Sequence, residues 1–407
     1  MKNLKLITAS LLALAAAGSA FAADLGTVHL TGSSAFRSAT LNATKALFKT
    51  SGAHPLKYGW AGSGSFTGST YAIFDGELLT GDTVIIATNF TGSAAGIQAI
   101  VQTAPVLSIP YLNTAYASLS TGGTSGLATP VVTATSDIAM SDVQVGLTPF
   151  QRDTDKGVVS PVDAPVGVIP FYWVANNGSN AAITNITNQM GKAVGAGGIP
   201  LSFWTGNNAD TGLVRVVGRN ADSGTRLTAY EEADYGAATP VTQYQPTPVS
   251  NTVTGGTITG LQLYPAETVL GITFGAGKSG YSSGGTLANQ FQRPSAAGIN
   301  FVGYVGRSDA IAAISSGTGR LLSYNGVLAP LTGTQAQLDA PFINGTYSFW
   351  SYEQMYITDD HAGSGDAVET VSELLATQIK TVNASASGIP LSDMKVLRSG
   401  EGQVITN

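Results

Sequence analysis

The sequence of 407 residues contains no cysteine. Its absence excludes disulfide bonds, catalysis by a thiol and the acylated cysteine that anchors bacterial lipoproteins. Histidine is scarce too: His29, His54 and His361 are the only three, and their spacing does not fit a metal site. We therefore expect neither a metal nor a cofactor.

Charge is the second feature that the sequence has little of. Charged residues make up 11% of the chain, less than half of the usual share of about 25%. The net charge is -6, and no run of like charges occurs. Because binding a polyanion needs a basic surface, we do not expect nucleic acid as a partner.

Motifs of common catalytic sites are also missing. Gly62-Ser63-Gly64-Ser65 is similar to a nucleophile elbow, but no base lies near it in the sequence. Gly277-Lys278-Ser279 lacks the upstream glycine that a phosphate-binding Walker loop requires. We predict that the protein is not an enzyme.

One long apolar run is present, at the N-terminus. Lys2 and Lys5 precede the apolar stretch 6–17, and Ala20-Phe21-Ala22 supplies the small residues that a signal peptidase requires. We predict a signal peptide over residues 1–22, cleaved after Ala22. Because no later stretch is long and apolar enough to span a bilayer, we predict a periplasmic or secreted protein.

Short apolar runs alternate with helical patterns along the rest of the chain. The runs Val28–Leu30, Thr83–Ala87, Asp137–Asp142 and Leu213–Val217 are typical of strands. Such alternation predicts an α/β fold with a largely parallel sheet. Ligand sites in these folds lie beyond the carboxyl ends of the strands, where this sequence repeatedly places serine, threonine and glycine.

The segment Gly218–Arg226 is the most informative of these strand ends. It combines Arg219, Ser223, Gly224 and Thr225 at the predicted start of a helix, where free amides favour an oxyanion. An ordinary capped helix is an equal alternative, with Arg219 in a surface ion pair, for example with Asp222. The first strand likewise precedes a helix, for which Ser33 or Ser34 is the predicted N-cap.

Four segments in this order resemble the periplasmic phosphate-binding proteins of bacterial ABC transporters. Leu30-Thr31-Gly32-Ser33-Ser34-Ala35-Phe36 is similar to the first family loop, and Gly92-Ser93-Ala94-Ala95-Gly96 to the second. Ala139-Met140-Ser141-Asp142 resembles the third loop, with one extra residue. Arg219 stands four residues before Ser223-Gly224-Thr225, as in the fourth. Two departures are Ala35, where the family has a hydroxyl, and Ala221, where it often has an aspartate.

The resemblance implies a two-lobed fold of the type II periplasmic-binding-protein kind. It has mixed sheets and a hinge of crossing strands that close on phosphate. On this basis we expect one lobe from residues 23–172 and 346–407, and a second from residues 173–345.

The resemblance also implies the candidate ligand-binding residues, which are Ser33, Ser34, Phe36, Ser93, Asp142, Arg219, Ser223, Gly224 and Thr225. Asp142 is the most specific of them, because a carboxylate accepts a proton from phosphate and repels sulfate, which has none near neutral pH. The alternative is that Asp142 caps a helix or loop. The partners implied are phosphate or a related oxyanion and an ABC permease, with the protein as a monomer. The other interpretation is a secreted or surface-associated structural protein of this fold with no transport role.

Overall fold

The computed structural model describes residues 23–62, 64–101, 107–128, 132–148, 158–159, 165–269, 271–315 and 317–406. The predicted signal peptide, residues 1–22, lies outside these ranges. Within them, no helix has the length and apolar character needed to cross a membrane.

The described residues form a mixture of strands and helices. The strands are β1 (Asp24–Gly32), β2 (Lys57–Ala61), β3 (Tyr71–Glu77), β4 (Thr83–Asn89), β5 (Ile109–Tyr111), β6 (Thr124–Leu127), β7 (Val132–Ala134), β8 (Ile138–Ser141), β9 (Val158–Val159), β10 (Gly167–Asn176), β11 (Asn185–Ile186), β12 (Ile199–Pro200), β13 (Leu213–Val216), β14 (Tyr244–Thr247), β15 (Gly260–Leu263), β16 (Glu267–Val269), β17 (Ile272–Phe274), β18 (Phe301–Gly306), β19 (Gly319–Leu321), β20 (Ser323–Tyr324) and β21 (Trp350–Thr358). The α-helices are α1 (Arg37–Ala46), α2 (Ser93–Val101), α3 (Asn188–Gly195), α4 (Ser202–Thr205), α5 (Gly224–Glu232), α6 (Gly284–Gln292), α7 (Arg307–Ser315), α8 (Gln335–Ile343) and α9 (Ala367–Gln378).

One large sheet organises the chain, in the order β12-β13-β18-β10-β21-β8-β1-β4-β3-β2-β6. In its first half, β1 is parallel to both β4 and β8. In its second half, β13 is parallel to β18. The strands β10 and β21 pair antiparallel in the middle and join the two halves. The predicted α/β class with a mixed sheet is confirmed. The expectation of a largely parallel sheet is wrong, because six of the ten neighbouring pairs in this order are antiparallel.

The central strand β10 forms the middle of the hydrophobic core. All ten of its residues are buried, which explains the uninterrupted apolar sequence from Val168 to Ala175. A strand that is covered on both faces has no need of alternating polar residues. Aromatic side chains pack around it, including Trp173 against Tyr304 and Phe171 against Phe349.

The starts of α9 and α1 differ in how they are capped. Helix α9 begins after Asp366, whose side chain accepts a hydrogen bond from the Glu369 amide. Helix α1, however, begins at Arg37 with Phe36 at the cap position and no side-chain cap. The prediction of Ser33 or Ser34 as this N-cap is therefore wrong. Phe36, whose ring is fully buried in the core, takes the cap position two residues after Ser34.

Candidate functional site

Three loops of the first half of the sheet lie side by side. They follow the parallel strands β1, β4 and β8, whose carboxyl ends meet at one edge. The Ser33 amide donates to the Met140 carbonyl at 2.8 Å, and the Gly92 amide donates to the Gly32 carbonyl at 2.9 Å. These bonds hold the predicted loops against one another.

The second half of the sheet contributes the start of α5. Ser223 is its N-cap, and its hydroxyl accepts from the Arg226 amide at 3.3 Å. The capped-helix interpretation of this segment is therefore confirmed for Ser223. The neighbouring Asp222 carbonyl accepts from the Ala94 amide of α2 at 3.1 Å, so this helix start lies directly against the first half.

Asp142 lies where the two halves meet. One carboxylate oxygen accepts from the Ser93 hydroxyl, and the other accepts from the Thr225 hydroxyl at 3.3 Å. The Thr228 hydroxyl donates to the main-chain oxygen of Asp142, also at 3.3 Å. Asp142 is only 2% exposed. The structure thus brings together three predicted site residues, one from each of three different loops.

Gly224 explains how the carboxylate can approach the helix so closely. A Cβ atom added there would lie 1.6 Å from Oδ1 of Asp142 and 2.8 Å from the Ser93 Cβ. No other residue type leaves this space free, so glycine is required by the packing of Asp142.

Two buried carboxyl groups, Asp142 and Glu353, lie in the cleft between the two halves of the sheet, and both have shifted pKa values. Burial raises the pKa of Asp142, while the Ser93 hydroxyl and the Arg219 charge act in the opposite direction. Burial and the nearby Asp142 raise the pKa of Glu353, on β21, well above its ordinary value. The Ser33 hydroxyl opposes this shift, but among the described residues no hydrogen bond of normal geometry reaches either carboxyl oxygen of Glu353. The protonated form of these two carboxyl groups is therefore more favourable here than in water.

Two nitrogens of the Arg219 guanidinium are bonded to the main chain. Its Nε donates to the Tyr281 carbonyl and its Nη2 to the Ser282 carbonyl, both at 3.1 Å. The residue is 5% exposed, so the alternative of a surface ion pair with Asp222 is wrong. Burial raises the pKa of Asp222 to about 6, and the Arg219 charge partly offsets this effect.

The remaining predicted residues occupy two environments. The Phe36 ring is fully buried and packs on the backbone at Gly167 and Gly388, so the side chain belongs to the core. Ser34, Arg219 and Thr225 line a cavity of about 300 Å³ between the halves. Arg37 and Asp309 line it as well, and the sequence motifs had not indicated either. Arg37 directly follows the first motif, but nothing local distinguishes Asp309.

The residues Asp142, Ser93 and Thr225 are together called the Asp142 cluster. A larger cavity of about 780 Å³ lies along α5, beyond this cluster. Arg226 lines this cavity, and its Nη1 and Nη2 donate to the Arg219 and Lys278 carbonyls. Within the part of the chain that the structure describes, no group of three acidic, histidine or cysteine side chains could hold a metal ion.

No protein-family model and no curated protein matches the sequence. Several solved structures are similar. One is from Clostridium perfringens, assigned as a phosphate ABC transporter substrate-binding protein and solved with phosphate bound. It is 14% identical, with a TM-score of 0.47, over 90% of this chain and 99% of that one.

An ABC-type phosphate transport receptor from Vibrio cholerae is 12% identical, with a TM-score of 0.43, over 88% and 96% of the two chains. A phosphate-binding protein from Stenotrophomonas maltophilia is 17% identical, with a TM-score of 0.33, over 81% and 78%. At such distances the ligand has to be argued from the residues of this chain.

Proposed function

We propose that the protein is an exported solute-binding protein that captures phosphate or a similar oxyanion between two lobes and delivers it to an ABC permease. The observation that carries the proposal is the position of Asp142. It is buried between the two halves of the sheet and bonded to a hydroxyl from each, Ser93 and Thr225. A ligand at this point would contact both halves at once.

The chemistry of the cluster favours an oxyanion that carries a proton. Hydroxyl donors, the first amides of α5 and the Arg219 guanidinium all complement negative charge. Asp142 would repel a fully ionised anion, but it accepts a hydrogen bond from the O–H group of monohydrogen or dihydrogen phosphate. Sulfate offers no such proton near neutral pH, so the same carboxylate discriminates against it.

Capture would require the two halves to separate and close again. In the present arrangement Ser93 and Thr225 donate to Asp142 itself, so an entering oxyanion would take over these two donors. The strands β10 and β21, which join the halves, are the natural hinge. With the lobes at residues 23–172 plus 346–407 and 173–345, closure on the ligand would stabilise the closed state through contacts that the open state lacks.

Export follows from residues 1–22, which we propose to be a cleaved signal peptide. Delivery to a permease, action as a monomer and a periplasmic location belong to the same proposal. It includes no catalytic step.

Calorimetric titration of residues 23–407 tests this function. We expect phosphate to release heat of binding and sulfate to release none at the same pH. Thr225→Val keeps the shape of the side chain but removes its donor, and we expect it to weaken phosphate binding by roughly 10- to 100-fold. The matched control is Thr211→Val, an exposed threonine away from the cleft. A folded wild-type chain that binds no phosphate would favour the structural, non-transporting alternative instead.

A further inference from the structure

The cavity of about 300 Å³ lies beside the Asp142 cluster and shares Thr225 and Arg219 with it. Arg37, at the first position of α1, lines the cavity on the side of the first half. Asp309, on α7, lines it on the side of the second half. The cleft therefore has two contiguous ends, the Asp142 end and the Arg37 end, and the residues at the two ends differ in chemistry.

The guanidinium of Arg37 is only partly compensated by the described residues. Its Nε is buried and has no hydrogen-bond partner among the described residues. Burial lowers the pKa of Arg37, and the charge of Asp309 only partly opposes this effect. Removing a guanidinium from water without an acceptor costs free energy, which an anionic ligand would recover.

A second guanidinium lies at the same cavity. Arg219 uses Nε and Nη2 for main-chain carbonyls, while Nη1 lies near the backbone at Gly284. Three guanidinium groups, those of Arg37, Arg219 and Arg307, thus border a cavity whose only lining carboxylate among the described residues is Asp309. Arg307 forms an ion pair with Asp339 at 2.6 Å, which leaves Arg37 and Arg219 for a ligand. The excess of positive charge favours an acid group between Arg37 and Arg219.

Asp309 supplies a different recognition element. One of its carboxylate oxygens lies so close to the start of α6 that a Cβ on Gly284 would come within 1.9 Å of it. Burial raises the pKa of Asp309, and the charges of Arg219 and Arg37 oppose this shift. A carboxylate in this position can accept a hydrogen bond from a ligand hydroxyl, but it would repel a second acid group.

The size of the cavity also favours a ligand larger than a phosphate ion. A volume of about 300 Å³ is at the lower end of the range for small-molecule sites, roughly 300–1,000 Å³. A free phosphate ion, with five non-hydrogen atoms, would leave much of this space to water.

We propose that this cavity makes the protein selective for a small phosphate monoester with a hydroxylated organic part, bound with its phosphate between Arg37 and Arg219 and a hydroxyl on Asp309. The proposal rests on the proposed oxyanion capture and names its substrate class. Ser34, which also lines the cavity, is a further hydroxyl within the same space.

The test is calorimetric titration of residues 23–407 with inorganic phosphate, glycerol 3-phosphate and glycerol. We expect glycerol 3-phosphate to bind at least tenfold more tightly than phosphate, and glycerol not to bind. Arg37→Gln should reduce the affinity for glycerol 3-phosphate at least tenfold more than the affinity for phosphate. The control is Lys192→Gln, which removes the same charge from an exposed position on α3 and should leave both affinities unchanged.

A second variant keeps the test independent of any effect of Arg37 on folding. Asp309→Ala removes the hydroxyl acceptor and a negative charge, so it should weaken glycerol 3-phosphate while strengthening phosphate. If wild-type protein binds phosphate at least as tightly as glycerol 3-phosphate, the selectivity proposal is overturned and oxyanion capture stands. If neither compound binds, both proposals fail.

Discussion

The two ends of the cleft differ in how a buried charge is surrounded. At the Asp142 end, a carboxylate is surrounded by hydroxyls and packed against Gly224, with no room between them. At the Arg37 end, a guanidinium borders open space and has an unpartnered nitrogen. In the present arrangement the first end is filled by the chain itself, whereas the second contains an open cavity.

The difference separates two kinds of selectivity. A packed acceptor discriminates between anions because a wrong ligand leaves it unpaired or repelled. Open cations attract any anion, and the size of the cavity and the acceptor Asp309 then determine which organic part fits. If this division of roles is correct, changes at the Asp142 end should alter which anion binds, and changes at the Arg37 end should alter how large an anion binds.

The largest effect is expected from Gly224→Ala. The added Cβ would overlap Oδ1 of Asp142, so either α5 or the loop after β8 must move. We expect a loss of about 1–3 kcal/mol in the free energy of unfolding, and loss of phosphate binding. Thermal or denaturant unfolding measures the first, and calorimetry measures the second.

Gly212→Ala is the matched control, because a Cβ at Gly212 would meet nothing within 4 Å. Equal stability of the two variants would contradict the close packing of Asp142 on α5.

The second prediction concerns Asp142→Asn. The amide keeps the shape but removes the charge that repels sulfate, so the preference for phosphate over sulfate should fall by roughly 10- to 100-fold. Because burial raises the pKa of Asp142 in the folded protein, its charged form destabilises the fold, and this cost appears as the pH rises. The variant should therefore unfold at a higher temperature than wild type at neutral pH.

Competition titrations with phosphate and sulfate measure the preference, and Asp359→Asn, at an exposed position, controls for the loss of one charge. Unchanged rejection of sulfate by Asp142→Asn would show that another group provides the selectivity.

The third prediction is a pH dependence located at Glu353. Its pKa is raised well above its ordinary value, so folding favours the protonated form. The stability that this provides is fully present below the ordinary glutamate pKa and is lost as the pH rises through the raised value. Glu353→Gln, which remains neutral, should flatten the decline of the unfolding temperature as the pH rises above the ordinary glutamate pKa.

The control for Glu353→Gln is Glu373→Gln, an exposed carboxylate on α9. If both variants show the wild-type pH profile, Glu353 does not carry the buried proton.

Local sequence patterns predicted those parts of this comparison that depend on neighbouring residues. The strand ends before Ser93, Asp142 and Gly224 follow from runs of apolar residues, and the parallel arrangement brings their loops to one edge. The binding roles of these residues remain predictions.

The features that sequence reasoning missed depend on distant segments. The direction of Arg219 is set by the carbonyls of Tyr281 and Ser282, more than 60 residues further along the chain. Glu353 and Asp309 come from segments with no motif, and they reach the cleft through the pairing of β21 and the position of α7. Periodicity and capping rules describe neighbours in sequence and cannot supply such contacts.

The smallest effect is expected from Glu401, which lies behind the Asp142 end in the C-terminal segment. Its carboxylate accepts from the Gln144 amide at 3.4 Å, two residues after Asp142. Burial raises its pKa to about 7, with the Asp142 charge adding to the shift. Because the folded-state value lies above the ordinary one, stability should fall as the pH rises from about 4.5 to about 7. In Glu401→Gln the unfolding temperature should lose this part of its pH dependence while phosphate selectivity stays unchanged. A change in selectivity would instead connect the C-terminal segment to the packed end of the cleft and weaken the division between the two ends.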